Sequence, residues 1–325
     1  MENFNETNLI VSETPHLRSY KKTKDIMLKV FLALLPSALY GIYLFGIRAA
    51  ISILVSIGAA LLSETVWNLI TGKKNTIGDK SALVTGLLLA MNVSSLVPFW
   101  QVALGSAFAI IVVKQLFGGL GCNFMNPALA GRAFMVASFA GTMTTKWAVP
   151  YSYSFKAADA VTGATPLALA KEGEMTGLFD LFFGNTGGSI GETSAFLLLL
   201  GGIYLIWSGV IKIHIPLSYI GTVFVLTLFV TGFDFNASLG YLLSGGLMLG
   251  AFFMATDYVT SPVTEKGMII AGILCGVLTV AIRIYGGYPE GVSYSILLMN
   301  AATPLIDKVS KHKRFGEVSK WKKAA

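Results

Sequence analysis

Long apolar runs leave this chain few folds to choose from. Stretches at about 26–46, 48–71, 99–117, 193–211, 216–233, 239–256, 268–285 and 290–306 each come close to the roughly 20 residues that cross a bilayer as a helix. Shorter apolar runs lie at 81–92 and 126–140. Hydrocarbon offers no partner to a free N–H or C=O, so such runs must close their own hydrogen bonds as helices. The expected fold is therefore an all-α integral membrane protein. Hydrophobic residues at 54%, charged residues at 13% and a mean hydropathy of +0.69 exclude an ordinary soluble domain. With the two shorter runs counted as short or broken helices, the expectation is about ten transmembrane helices in two five-helix sets.

Charge orients this arrangement. Residues 1–25 are polar and carry Arg18, Lys21, Lys22 and Lys24, and the apolar run that follows is too long for a cleavable signal core, so it reads as a retained span. An even number of spans puts both ends on one side. Placing 1–25 in the cytoplasm also places Lys73, Lys74, Lys80, Lys212, Lys266 and the basic tail 308–325 there, as the excess of Lys and Arg in cytoplasmic loops requires. The net charge of +7 is thus a matter of membrane orientation and not of nucleic acid. The expected layout is a first repeat over 26–140, an external loop over 141–192 and a second repeat over 193–307. Gly86 to Gly119 and Ala251 to Gly287 share one order: a helix end, a polar break (Met91-Asn92-Val93, Thr256-Asp257-Tyr258), then a long apolar helix closing on two glycines. With five spans per half the second copy is inverted, and inverted repeats with interrupted helices commonly surround a midplane site.

Several segments carry polar chemistry. Asp159-Ala160-Val161-Thr162-Gly163-Ala164-Thr165-Pro166 sets two hydroxyls around a pair of small residues, and Pro166 biases Thr165 towards an extended backbone that would hold its hydroxyl out from the loop. Gly118-Gly119-Leu120-Gly121-Cys122-Asn123-Phe124-Met125-Asn126-Pro127-Ala128 leads into the short fifth helix. Asn126 suits its cap and Pro127 its first turn, while Asn123 and Asn126 together offer amides to a neutral polar ring. Arg132, in an apolar setting, needs an interior partner, either an ion pair, carbonyls or a cofactor. Ser189 and Glu192 in Gly187-Gly188-Ser189-Ile190-Gly191-Glu192-Thr193-Ser194 have capping-box spacing, and the glycine-rich turn could also offer N–H groups to a phosphate at Thr165. Glu64, Asp257 and Asp307 lie in or beside apolar segments, where ionisable groups are costly; Asp257 reads as a surface residue at a helix end. Cys122 and Cys275 read as packed thiols, and His16, His214 and His312 share no metal-ligand spacing.

These motifs resemble one family. Asp159 to Thr165 resembles the D-x-x-(S/T)-G-A-T flavinylation motif of the Rnf complexes and the sodium-pumping NADH:quinone reductases, Asn123 to Leu129 resembles the family's N-x-x-N-P-A-L segment, and Gly188 to Ser194 its G-S-I-G-E-T-S segment. Within that family the chain is most similar to the Rnf D components. The resemblance implies FMN held covalently by a phosphoester at Thr165, with Asp159, Thr162, Gly163 and Ala164 as the motif around it. It implies a second, noncovalent flavin, riboflavin, near Asn123 and Asn126, with Arg132 a further candidate contact, and a role for Asp307 in cation uptake. It further implies partners from the rest of the Rnf complex (its C, G, E, A and B components), with the external flavoprotein G the nearest, a flavin transferase for maturation, and a prokaryotic plasma-membrane setting. The activity so implied is electron transfer from ferredoxin to NAD coupled to Na⁺ or H⁺ export. An alternative reading starts from the same five-plus-five layout, which is also similar to urea-type channels, and makes the chain a passive solute channel.

Overall fold

In the computed structural model the described residues are 22–73, 76–151, 153, 163–174, 176–287 and 290–310. Asp159 and Thr162 lie outside them. The described part is helical: α1 (Thr23–Phe45), α2 (Ile47–Thr71), α3 (Ser81–Met91), α4 (Phe99–Phe108, continuing as a π-helical stretch Ala109–Gln115), α5 (Pro127–Ser138), α6 (Ala140–Met143), α7 (Pro166–Lys171), α8 (Leu178–Phe183), α9 (Ala195–Trp207), α10 (His214–Val230), α11 (Phe235–Leu243), α12 (Leu247–Leu249, continuing as π-helical Gly250–Met254), α13 (Glu265–Tyr285) and α14 (Val292–Val309).

Helices α1, α2 and α13 are long and apolar enough to cross a membrane by themselves. A fourth span arises if α11 and α12 are joined, but these meet at a 63° bend. The continuous run expected over 239–256 is therefore broken, at Ser244-Gly245-Gly246. Ser244 is extended and Gly245 has φ +68°, a left-handed conformation that glycine adopts without penalty. The remaining apolar helices α3, α4 with its π-helical end, α9 and α10 are shorter than a full span. Length and apolarity thus give three or four full spans among the described residues, fewer than the ten counted in sequence.

The two central short helices are the most enclosed elements. Every residue of α3 except Leu83 and Thr85 is buried, and so is every residue from Leu247 to Ala255. Their ends meet: Asn92 Nδ2 lies 3.6 Å from Met254 Sδ, and Asn126 Nδ2 donates to the Met254 carbonyl at 3.3 Å. Each break frees carbonyls, and each is answered by a buried arginine. Arg48 on α2 donates to Ser95 O (2.7 Å) and Leu96 O (3.4 Å). Arg283 on α13 donates to Tyr241 O (2.6 Å), Ser244 O (3.1 Å) and Glu290 O (3.2 Å). Carbonyls buried without such partners would each cost of the order of 1–3 kcal/mol.

The segment before α9 closes the first break from the other side. Ile190 N donates to Val93 O at 3.1 Å and Gly191 N to Met91 O at 2.8 Å. Gly41 of α1 lets that segment in, since a Cβ there would stand 2.4 Å from Ile190 O. At the opposite end of the bundle, Thr264 Oγ1 donates to Ser310 Oγ (2.7 Å) and Val263 N to Asp307 Oδ1 (3.1 Å).

Candidate functional site

Thr165 is the N-cap of α7. Its backbone is extended, φ −75° and ψ 154°, as Pro166 dictates. Its hydroxyl is not held out: it turns inward to accept from Ala168 N at 3.3 Å, and the residue is only 6% exposed. The expectation of a projecting hydroxyl is corrected by this capping bond, which a threonine ahead of Pro166 at the first helical position is well placed to form. The loop is pinned on either side. Gly163 N donates to Trp147 O at 3.1 Å, and Ala148 bridges to Gly188.

Beside Thr165 lies a cavity lined also by Gly187, Gly188, Glu192, Thr193, Ser244 and Glu290. Glu290 is shared with a second cavity, of about 500 Å³ including its mouth, whose walls include Arg132, Met143, Trp147, Ser293 and Tyr294. Arg132 occupies the junction: it is ion-paired with Glu290, donates to Ser293 Oγ at 2.7 Å, and reaches Asn92 Oδ1 at 3.4 Å. Of the partners left open by the sequence, the structure thus gives it a carboxylate. Four buried polar atoms around the two cavities have no hydrogen-bond partner: Arg132 Nε, Glu192 Oε1, Thr193 Oγ1 and Glu290 Oε1. Orphaned groups of this kind are expensive, and those of Glu192, Thr193 and Glu290, which line the Thr165 cavity, would be satisfied by a ligand there that both donates and accepts. A phosphoester would leave the Thr165 oxygen able to accept from Ala168 N.

One expectation for the segment before α9 is overturned: Ser189 does not cap the helix; Ser194 does, accepting from Leu197 N at 3.3 Å. The N–H groups of Ile190 and Gly191 go to the α3 break, while Gly187 and Gly188 of the same turn line the Thr165 cavity. Glu192 is instead delivered to the Thr165 cavity, where burial raises its carboxyl above the usual range while the charge of Arg132, the polar groups of Ser189 and the charge of Arg283 pull it down.

Asn123 and Asn126 sit in a different crevice, of about 750 Å³ including its mouth, shared with Ser81, Lys114, Thr256, Asp257 and Tyr258. Asn126 caps α5 by accepting from Ala128 N (3.0 Å) and Leu129 N (3.3 Å). Asn123 donates to Met125 O (3.0 Å) and shares the crevice with the Asp257 carboxylate. Asp257 is half-buried in this crevice and not a surface residue, and its carboxyl is pushed up by burial. Gly118, Gly119 and Gly121 all have positive φ, which lets the preceding loop fold over the crevice. Arg132 lies six residues beyond Asn126 on α5, roughly 9 Å along the helix, so this helix joins the two cavities. Asp307 belongs to neither: it lies 15 residues past Val292 at the start of α14, about 22 Å along the helix. Cys122 is exposed, against the expectation of a packed thiol, whereas Cys275 is buried.

The sequence reading missed Glu290, Arg283 and Lys114. Lys114 and Arg283 announce themselves as charges inside apolar runs. Lys114 pairs with Glu64 at 2.8 Å.

Comparison with known proteins settles the lineage. The model of the NQR2, RnfD, RnfE family matches residues 10–316. The chain belongs to that family. The D component of the Na⁺-translocating ferredoxin:NAD⁺ oxidoreductase complex of Acetobacterium woodii is 50% identical over 99% of both chains. Its counterpart in the proton-translocating ferredoxin:NAD⁺ oxidoreductase complex of Clostridium ljungdahlii is 45% identical over 94% of this chain and 96% of its own. The D component of an ion-translocating oxidoreductase complex of Stutzerimonas stutzeri is 38% identical over 91% and 93%. These names are those of oxidoreductase components and lend no support to a passive channel.

Proposed function

We propose that this chain is the D-type membrane component of an ion-translocating ferredoxin:NAD⁺ oxidoreductase and carries FMN covalently at Thr165. The observation that carries the proposal is the placement of Thr165: the last residue of a flavinylation-like motif lines a buried cavity edged by orphaned polar atoms and joined through Glu290 to an aromatic-walled one. Full-length similarity to the D components of such complexes supports it. Bound there, a flavin supplies one-electron acceptance and release.

The chain's own residues have definable tasks. Thr165 anchors, with its backbone fixed by Pro166 and its oxygen still capping α7. Trp147, Met143 and Tyr294 provide the apolar walls that exclude water from a ring. The Arg132–Glu290 pair fixes the floor between the cavities, and the four orphaned atoms offer two acceptor carboxylate oxygens, a hydroxyl and a guanidinium N–H. Asn123 and Asn126 would hold a second, noncovalent flavin, riboflavin, in the lower crevice, with α5 linking the two positions. Asp307, at the other end of α14, is the proposed cation-uptake position. Ten spans in two inverted sets of five remain the proposed membrane arrangement, with the shorter helices as interrupted spans, the Thr165 loop external and both chain ends in the cytoplasm. The C, G, E, A and B components as partners, and a flavin transferase, follow from the same reading.

In-gel fluorescence of the denatured chain, coexpressed with a flavin transferase, tests the assignment. Wild type should fluoresce and Thr165→Val should be dark while accumulating normally. A dark wild type, under conditions in which the transferase labels another target, refutes it.

A further inference from the structure

We propose that Glu192 is the group that binds a proton when an electron arrives on the cofactor at Thr165, and releases it when the electron leaves. The inference rests on the flavin reading of Thr165 and adds to it a named proton acceptor on this chain.

The geometry selects Glu192. Its carboxylate lines the Thr165 cavity, and its Oε1 is buried without a hydrogen-bond partner. It is packed against backbone: a Cβ on Gly246 would stand 2.8 Å from Oε1, and one on Gly188 3.9 Å from Oε2. Four charged groups form the cluster: Arg132 from α5, Arg283 from α13, Glu290 ahead of α14, and Glu192 itself. The Tyr294, Tyr219 and Tyr241 rings complete the set through the two guanidiniums. Arg132 is committed to Glu290 and Ser293, and Arg283 to three backbone carbonyls. Glu192 is therefore the carboxylate without a direct cation contact.

Charge arithmetic then determines the response. Two carboxylates and two guanidiniums sum to zero, and the phosphodiester at Thr165 adds one negative charge. One electron delivered by a one-electron carrier of a neighbouring protein in the complex adds a further uncompensated negative charge in a poorly solvated pocket, where it is costly. An O–H bond formed at the Glu192 carboxylate, with a proton drawn from water, restores the balance; loss of the electron breaks that bond and returns the proton to water. Glu290, whose side chain is 13% exposed, connects the cluster to that water. Because burial already favours the neutral form of Glu192, a nearby negative charge needs to add little.

Reduced-minus-oxidised infrared spectra of the purified flavinylated complex provide the test, beside potentiometric titration of the covalent flavin across pH. Reduction should raise a protonated-carboxyl C=O band that moves when glutamate is ¹³C-labelled in wild type and vanishes in Glu192→Gln. The potential should shift with pH in wild type, by up to a tenfold change in equilibrium constant, about 59 mV, per pH unit, and less so in Glu192→Gln. Glu192→Asp keeps the test decisive if Glu192→Gln does not fold: the protonated-carboxyl band should persist there but no longer respond to labelled glutamate. A wild-type band insensitive to the label, or a band and slope retained in Glu192→Gln, overturns the proposal while leaving the flavin in place. A denatured wild-type chain without flavin overturns both, and fluorescence in the gel tells the two failures apart.

Discussion

Lys114→Met should be among the most damaging single substitutions outside the Thr165 region, and its cost should shrink when Glu64→Gln is added. Glu64 and Lys114 are 0% and 2% exposed, 2.8 Å apart, on α2 and the π-helical end of α4. Glu64 Oε1 also accepts from Gln115 Nε2 (3.0 Å) and Thr76 Oγ1 (2.5 Å), and Lys114 Nζ donates to Ser81 Oγ (2.6 Å). Methionine keeps most of the lysine stem, so packing is largely conserved and the variant isolates the charge. It leaves a buried carboxylate without its cation, for which about 3–5 kcal/mol is the usual cost. Glu64→Gln leaves the ammonium equally stranded. Removing both charges eliminates the desolvation of both, so the double variant should lie closer to wild type than either single. Equilibrium unfolding in mixed micelles, followed by helix content, supplies the three differences, and their non-additivity is the coupling. Single costs below about 0.5 kcal/mol that simply add would refute a buried, mutually dependent pair. The outcome bears on function because Lys114 also lines the Asn123 and Asn126 crevice.

Asn126→Ala should cost about 0.5–2 kcal/mol for the lost cap and further loosen the contact to Met254 O that joins the two halves; thermal unfolding of the purified chain reads it, and an unchanged midpoint contradicts it. Gly191→Ala should destabilise by about 1–3 kcal/mol of overpacking, because its Cβ would stand 2.5 Å from Met91 Cβ and 2.9 Å from Met91 O; an alanine variant as stable as wild type would mean that the segment can move away from α3. Glu192 sets a pH dependence. With its carboxyl raised by burial, the folded chain binds that proton more tightly than the unfolded one. Stability from this group is therefore complete below the unfolded value of about 4.3 and falls as pH rises through the raised folded value. Glu192→Gln should flatten the decline, and a wild type gaining stability over that window relative to the variant contradicts the assignment.

Much of this was legible in the sequence because apolar length and charge placement act locally. The starts of α2, α3 and α4 follow directly from the apolar runs, and Asn126-Pro127 marks the cap and first turn of α5. The break at Ser244-Gly245-Gly246 was hidden because apolar residues on both sides read as one span; only the geometry shows Arg283 satisfying the carbonyls freed there. Ser189 misled for a related reason. Its capping-box spacing to Glu192 is local, yet Ile190 and Gly191 are taken by the distant carbonyls of Val93 and Met91, which moves the true cap to Ser194. The Thr165 site shows the same division. The motif picked out the threonine, but its companions Glu290 and Arg283 come from elements more than 100 residues away, and no spacing rule connects them.

Tandem mass spectrometry of the tryptic peptide Ala157–Lys171, from the chain made with its flavin transferase, tests the central claim most directly, since that peptide contains both Thr162 and Thr165. The account predicts the mass of FMN less one water, with fragment ions that place it on Thr165. The same mass on Thr162, or an unmodified peptide in a chain that still carries covalent flavin elsewhere, would contradict it.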